Sequence, residues 1–269
     1  MKLVALFMAV SPLWAQPPER TVDPTFLHRY IPDVEFKPGD ISTDACRYKP
    51  LFGAGDSVTT IVRGVARFGE ITVSGGACKT VSYPAEEQVY VIMDGEGTVQ
   101  YGDTTAPVKK NDFLYLPANV KHGVSGRLRL FVMGFRIAPD TAPPAKLMIA
   151  NLDEIRKQTV GGHPDSVVYQ LMMGDTNSKR DRIAAGHLLT SLYVMEFAPG
   201  GTNFPHHHDA EEEIYVVLDG TGRMVAGDGQ FAARAGDAYF FRLNATVGFY
   251  NDKSSPAHIL AVRSRYPRR

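Results

Sequence analysis

The sequence repeats itself. Glu86 to Asp103, EEQVYVIMDGEGTVQYGD, superimposes without a gap on Glu211 to Asp228, EEEIYVVLDGTGRMVAGD, and nine of the eighteen positions are identical. The same offset of 125 residues carries Asn111 to Gly126 onto Gly236 to Asn251, keeping Asp112 with Asp237 and Asn119 with Asn244. One ungapped register held over two separated blocks means that whatever unit the first copy folds into, the chain contains it twice.

Each copy is built of short β-branched and aromatic runs between Gly, Asn and Asp turns: EITVS, QVYVIM and DFLYLP in the first, EEIYVVLDG, AYFFRL and AHILAVRS in the second. Many short strands at near-regular spacing predict an all-β sandwich or barrel rather than a parallel sheet alternating with helices. The expected division is an N-terminal arm (16–57), a first β-domain (58–138), a linker (139–166) and a second β-domain (167–269). The arm is rich in Pro, Asp and Gly with no sustained period, and is expected to lie extended over the surface. Within the linker, ANLDEIRKQTVGG reads as a short helix closed by Gly161 and Gly162.

Residues 1–15 combine Lys2, an apolar run from Leu3 to Val10 and a small residue at Ala15, which reads as a secretory signal peptide and implies a secreted or periplasmic protein. The run is too short to span a bilayer. The single tryptophan, Trp14, would leave with the signal. Cys46 and Cys78 would remain, either bridged, as an oxidising compartment favours, or as two free thiols. The 29 basic and 29 acidic residues balance, which removes the electrostatic case for nucleic acid. The only basic cluster, Arg263, Arg265, Arg268 and Arg269, reads as a solvated terminus.

The chemistry concentrates in Pro199 to Gly220, PGGTNFPHHHDAEEEIYVVLDG. His206 and His208 are two apart, so on an extended strand they share a face, and Glu213, Tyr215 and Val217 form an alternating set that can oppose them. Two imidazoles and a carboxylate with open positions beside them suit one divalent transition metal such as Fe, Mn, Ni or Zn, and this donor set is associated with non-haem iron chemistry without being exclusive to it. In this phase His207 faces outward. A rival phase would use His207 with Asp209.

This stretch resembles the first cupin motif, with Gly200, His206, His208, Glu213 and Gly220 all of the expected type. The second cupin motif is matched only by Gly236 and Asn251; Arg242 stands for its Pro, Asn244 for its Gly, and Val247 for the fourth metal-binding His. With the repeat, the chain is similar to a bicupin of the cupin type-2 kind over about residues 58–265. The resemblance implies two tandem double-stranded β-helix (jelly-roll) barrels, of which only the second binds metal. The first has Val81, Tyr83 and Gln88 where the second has His206, His208 and Glu213, and retains only His122, opposite Val247.

Asn244, Tyr239 and His187 are candidates for the missing fourth ligand. Arg242 and Tyr215 are the candidate catalytic side chains: Tyr215 shares the face of Glu213, and Arg242, if it points inward, could hold an anionic substrate. The expected function is that of a metal-dependent enzyme on a small organic substrate, dioxygenase-like first, hydrolase or isomerase next. The alternative is a non-catalytic bicupin that holds a small ligand. Val89, Val91, Ile214, Val216 and Leu218 lie on the strand face opposite the site and need cover, from the other barrel or from a second copy in a homodimer.

Overall fold

The computed structural model describes residues 25–138 and 146–265. The signal peptide expected at 1–15, with Trp14, lies outside them, as does part of the linker. The strands of the first half are β1 (Phe26–Tyr30), β2 (Cys46–Gly53), β3 (Val65–Ala77), β4 (Glu86–Tyr101), β5 (Thr104–Lys109), β6 (Asp112–Leu116), β7 (His122–Arg136) and β8 (Met148–Asn151). Those of the second half are β9 (Val167–Asp175), β10 (Ile183–Gly186), β11 (Leu189–Phe197), β12 (Glu211–Asp219), β13 (Thr221–Ala226), β14 (Gly229–Arg234), β15 (Asp237–Phe241), β16 (Val247–Tyr250) and β17 (Ala257–Arg265). The protein is all-β, with two barrels as the repeat requires. Among the described residues no helix is long and apolar enough to cross a membrane.

Two elements differ from expectation. The arm is not draped over the surface: β2 pairs with β3 as an integral strand of the first barrel, and β1 pairs with β15 at the edge of the second. The linker helix is a single 3-10 turn, Leu152–Glu154, capped by Asn151, whose side chain accepts from the Asp153 amide. The residues before it form β8, which pairs with β6 of the first barrel. Ile149 and Ala150 take sheet pairing because β6 offers an open edge, a tertiary gain that local propensity does not register.

The two changes are one exchange. β1 precedes the first barrel and joins the second, whereas β8 precedes the second and joins the first; both run directly into a 3-10 turn, Ile31–Asp33 and Leu152–Glu154. The sheet orders are β2-β3-β7-β4-β6-β8, with β5 on β4, and β1-β15-β12-β17-β11-β9-β10 beside a small sheet β14-β13-β16. Each barrel is therefore finished by a strand from the chain segment that introduces the other.

Strand alternation sorts the apolar residues into three cores. Tyr90, Ile92, Leu114 and Val132 fill the first barrel, and Tyr215, Val217, Tyr239 and Ile259 the second. The other face of the same strands, Val89, Val91, Phe113 and Tyr115 with Ile214, Val216, Ala238 and Phe240, forms a single core between the barrels. The first barrel thus covers the apolar face of the second within one chain.

The positions identical in the two repeats are those where the fold leaves little choice. Gly95 and Gly220 both have φ of 83°, and a Cβ on Gly95 would stand 2.0 Å from the Arg127 carbonyl oxygen. Asn119 and Asn244 are both left-handed, φ 67° and 63°. The carboxylates of Asp112 and Asp237 accept from the amides of Lys109 and Arg234 at 2.8 and 2.7 Å, closing equivalent turns. Glu87 and Glu212, both fully buried, cross the inter-barrel core in opposite directions. Glu87 accepts from the amides of His187, Leu188 and Leu189 and from the Tyr115 hydroxyl, and Glu212 from the amides of Arg63, Gly64 and Val65. Each carboxylate fixes the start of a strand in the opposite barrel. Cys46 and Cys78 form a disulfide that joins the start of β2 to the end of β3.

Candidate metal centre

His206 and His208 sit on an extended segment at the mouth of the second barrel. A two-way backbone bridge between His206 and Val247 and the Asn244 amide, which donates to the His208 carbonyl at 2.9 Å, hold it in place. Phe204 has φ of 51°, unfavourable for a bulky residue. That turn aims its carbonyl at His206 Nδ1, 2.8 Å away. A proton on Nδ1 is the only way to satisfy this contact, and it leaves Nε2 as a free lone pair toward the barrel.

Glu213 lies on β12, fully enclosed, opposite Arg263 on β17. One ligand atom from each of His206, His208 and Glu213 falls within a 4.8 Å cluster. His208 Nε2 and Glu213 Oε2 are 3.3 Å apart, yet both are buried without a hydrogen-bond partner. Burial would depress the His208 pKa, but the Glu213 carboxylate outweighs it and raises it. For Glu213 burial raises and His208 outweighs it, so its pKa falls. Two buried, oppositely polar atoms that face each other without hydrogen-bond geometry, beside a tautomer-fixed imidazole, fit a divalent cation.

The surrounding cavity has a volume of about 230 Å3. Its polar wall carries Tyr169, Tyr193, Tyr215, Asn203, Arg180 and Arg263, its apolar wall Val160, Leu171 and Met195. Tyr193 donates to Glu213 Oε1 at 3.4 Å, and Asn203 donates to the Tyr215 hydroxyl at 2.9 Å while accepting from the Phe249 amide. Burial raises the pKa of Tyr169, Tyr193 and Tyr215, with the Glu213 charge adding to it, so all three stay protonated. The Tyr169 hydroxyl is buried without a partner.

Of the residues singled out in the sequence, His206, His208, Glu213 and Tyr215 converge here and Arg242 does not. Tyr239 and Phe241 of β15 face the barrel interior, so Arg242, next along, takes the opposite phase; its backbone amide donates to Thr25 and its side chain does not line the cavity. The cationic wall is Arg263, which the composition of the tail had suggested was solvated. On β17 it continues the inward series Ala257, Ile259, Ala261, a period-two signal legible in the sequence. Its guanidinium donates to Glu211 at 3.0 Å and Ser191 at 2.9 Å and lies 3.4 Å from His208 Nδ1, while Nε is buried without an acceptor. Burial works against its charge, but Tyr193, Glu213 and Glu211 more than offset this.

The candidates for a fourth ligand do not line the cavity. Tyr239 packs at a tilt against the His28 ring, and His187 donates its amide to Glu87 at the barrel junction. Asn244 is a left-handed turn residue. Val247 is buried among barrel residues. His207 pairs with Asp209 at 3.0 Å away from the cavity, so the rival phase has no enclosed site. His163, from the linker, lines the cavity and was not signalled by any motif. Burial, together with the nearby His206, lowers its pKa.

In the first barrel the corresponding ground is filled. Arg67 binds Glu86 at 2.9 Å and Asp40 at 3.0 Å and stacks over Tyr83, while Gln88 donates to Glu86. His122 is buried between Tyr83 and Tyr90 and, among the described residues, belongs to no group of three or more potential metal ligands.

The cupin domain model matches residues 70–132 and 193–263, one segment in each repeat. No curated protein sequence matches the chain. Among solved structures, the putative glyoxylate-induced protein of Pseudomonas aeruginosa is similar over 95% of both chains at 14% identity, TM-score 0.74. YlbA of Escherichia coli is similar over 93% of this chain and 96% of its own, 13% identical, TM-score 0.70. The oxalate decarboxylase of Bacillus subtilis, a protein with Mn(II) centres, is similar over 96% of this chain and 81% of its own, 12% identical, TM-score 0.62. At these identities the likeness is one of fold, and with the two matched segments it shows that the chain belongs to the cupin superfamily, as a tandem pair of cupin domains.

Proposed function

We propose that the second barrel is a metal-dependent enzyme acting on a small carboxylate-bearing substrate, oxidative cleavage of the dioxygenase type being the leading reaction class. The observation that carries this reading is the convergence of His206 with the buried pair His208 Nε2 and Glu213 Oε2, which stand 3.3 Å apart without a hydrogen bond. His206, His208 and Glu213 would hold the ion, and a divalent metal there supplies a Lewis acid with open positions for oxygen, water or a chelating substrate.

The chain's own residues account for the rest. Arg263, braced by Glu211 and Ser191, presents a fixed cation whose free Nε–H can meet a carboxylate. The Tyr169 hydroxyl, kept protonated, can donate to a substrate oxygen. Tyr193 holds Glu213 from behind, and Asn203 fixes the Tyr215 hydroxyl. Val160, Leu171 and Met195 keep bulk water off one side, which strengthens these contacts. Export to a secreted or periplasmic setting is part of the proposal; the first fifteen residues and the Cys46–Cys78 disulfide support it.

The test is elemental analysis of untagged protein beside a His206→Ala, Glu213→Ala variant, followed by oxygen uptake with a panel of small carboxylates. One equivalent of divalent metal lost in the variant, and uptake that depends on it, is the expected result. Absence of stoichiometric metal from both proteins would overturn the reading.

A further inference from the structure

The second barrel holds three candidate ligands where Val247 leaves a strand position without a donor, and a further imidazole stands beside them from outside the barrel. His163 lies in the crossover that leads into β9. Its backbone amide closes a tight turn onto the Val160 carbonyl at 3.1 Å. The turn depends on Gly162, φ 84°, with open space around both Gly161 and Gly162. The segment is tied down on either side. Val160 packs against the core of the second barrel, Gln158 bridges Tyr169, and the Ala198 amide donates to the Ser166 carbonyl.

The His163 ring meets the rings of Tyr169 at 5.5 Å and His206 at 5.9 Å, and among the described residues it makes no hydrogen bond. The His206 and His208 rings are 5.1 Å apart. A metal–nitrogen bond of about 2.1 Å, with the ring centre about 1.1 Å beyond, puts two cis imidazoles on one ion at centres about 4.5–5.2 Å apart and two trans ones at about 6.4 Å. The His206 and His208 rings already stand at a cis spacing, whereas His163 lies outside the three-residue group whose ligand atoms fall within 4.8 Å and its ring is wider from His206, so the crossover has to close by roughly 1 Å for all three rings to meet one ion.

We propose that His163 is a third imidazole ligand of the centre, reaching the ion from the crossover segment in place of the strand position that Val247 occupies. The proposal rests on the metal-centre reading above and specifies its donor set: three imidazoles and Glu213 rather than two and Glu213. Neutral nitrogen donors favour late first-row ions over magnesium or calcium, so the set also narrows the metal class. The linker is then part of the site rather than a spacer.

The experiment titrates Mn(II) and Cu(II) into metal-free protein by calorimetry, comparing the full chain with His163→Ala, Glu213→Ala and, as a remote control, His258→Ala, which removes a ring that pairs with Glu196. His163→Ala is expected to weaken both ions by about tenfold or more, with metal-free melting unchanged and His258→Ala binding as the parent does. Pulsed electron paramagnetic resonance on the Cu(II) form of the unmodified chain counts coupled imidazoles without a variant, and three are expected. Parent-like affinity in His163→Ala, or two imidazoles in the parent, would overturn the proposal while leaving the centre intact. No stoichiometric binding by the parent, or full binding by Glu213→Ala, would instead remove the metal-centre reading and this inference with it.

Discussion

Replacing Glu212 by alanine tests how firmly the two barrels are joined. Its carboxylate accepts from the amides of Arg63, Gly64 and Val65 at 2.7, 2.7 and 3.3 Å, inside the shared core. Arg63 can turn to water, but Gly64 and Val65 are buried. Two orphaned buried amides at about 1–3 kcal/mol each, with lost packing added, give an expected destabilisation of about 3–5 kcal/mol. Urea unfolding followed by far-ultraviolet circular dichroism measures it. Glu212→Gln retains one acceptor oxygen and should lose less. Burial raises the Glu212 pKa against the three amides, which lower it. A raised folded pKa contributes stability that is complete below the unfolded value, about 4.3, and is lost as pH rises through the folded value. The deficit of the glutamine variant relative to the parent should therefore be largest in acid and shrink as pH rises. A loss below about 1 kcal/mol for Glu212→Ala would refute the account, because it would mean the amides find water or new acceptors.

Opening the disulfide with Cys46→Ser, Cys78→Ser should cost up to about 3.7 kcal/mol by the loop-entropy relation applied to the separation of 32 residues, read as a fall in the urea midpoint with a steeper slope, because the unfolded chain is less compact. Adding the bound metal at a hundred times its dissociation constant should stabilise the fold by about 2.7 kcal/mol, seen as a higher melting temperature that a chelator reverses. Arg263→Lys keeps the charge but cannot hold Ser191 and Glu211 together, so binding of a small carboxylate measured by calorimetry should weaken by about tenfold. Equal affinity in that variant would place the anion elsewhere.

The sequence made the architecture legible because duplication leaves a trace that local propensity cannot imitate. The three metal candidates were legible because pleat phase picks His206, His208 and Glu213 from a run of seven polar side chains. Arg263 was hidden by its company: a count of basic residues near a terminus obscured the inward alternation of β17. Arg242 was drawn from a motif slot whose neighbours had already diverged, and the phase of β15 sends it away. His163 and the strands β1 and β8 depend on which distant edge a loop segment meets, and nothing local to those segments states that.

The exchange of β1 and β8 also bears on what this chain can lose. Each barrel completes a sheet with a strand that arrives from the other's side of the sequence, so no single cut releases either one whole. Deleting the N-terminal half would expose the paired edge of β15 together with half of the shared apolar core. The interior of the first barrel carries the Arg67, Tyr83 and Glu86 network, while its outer face and its lent strand serve the neighbouring barrel. The first barrel is in that sense a permanent half of its neighbour's scaffold, and truncation should yield an aggregation-prone fragment rather than a minimal cupin domain.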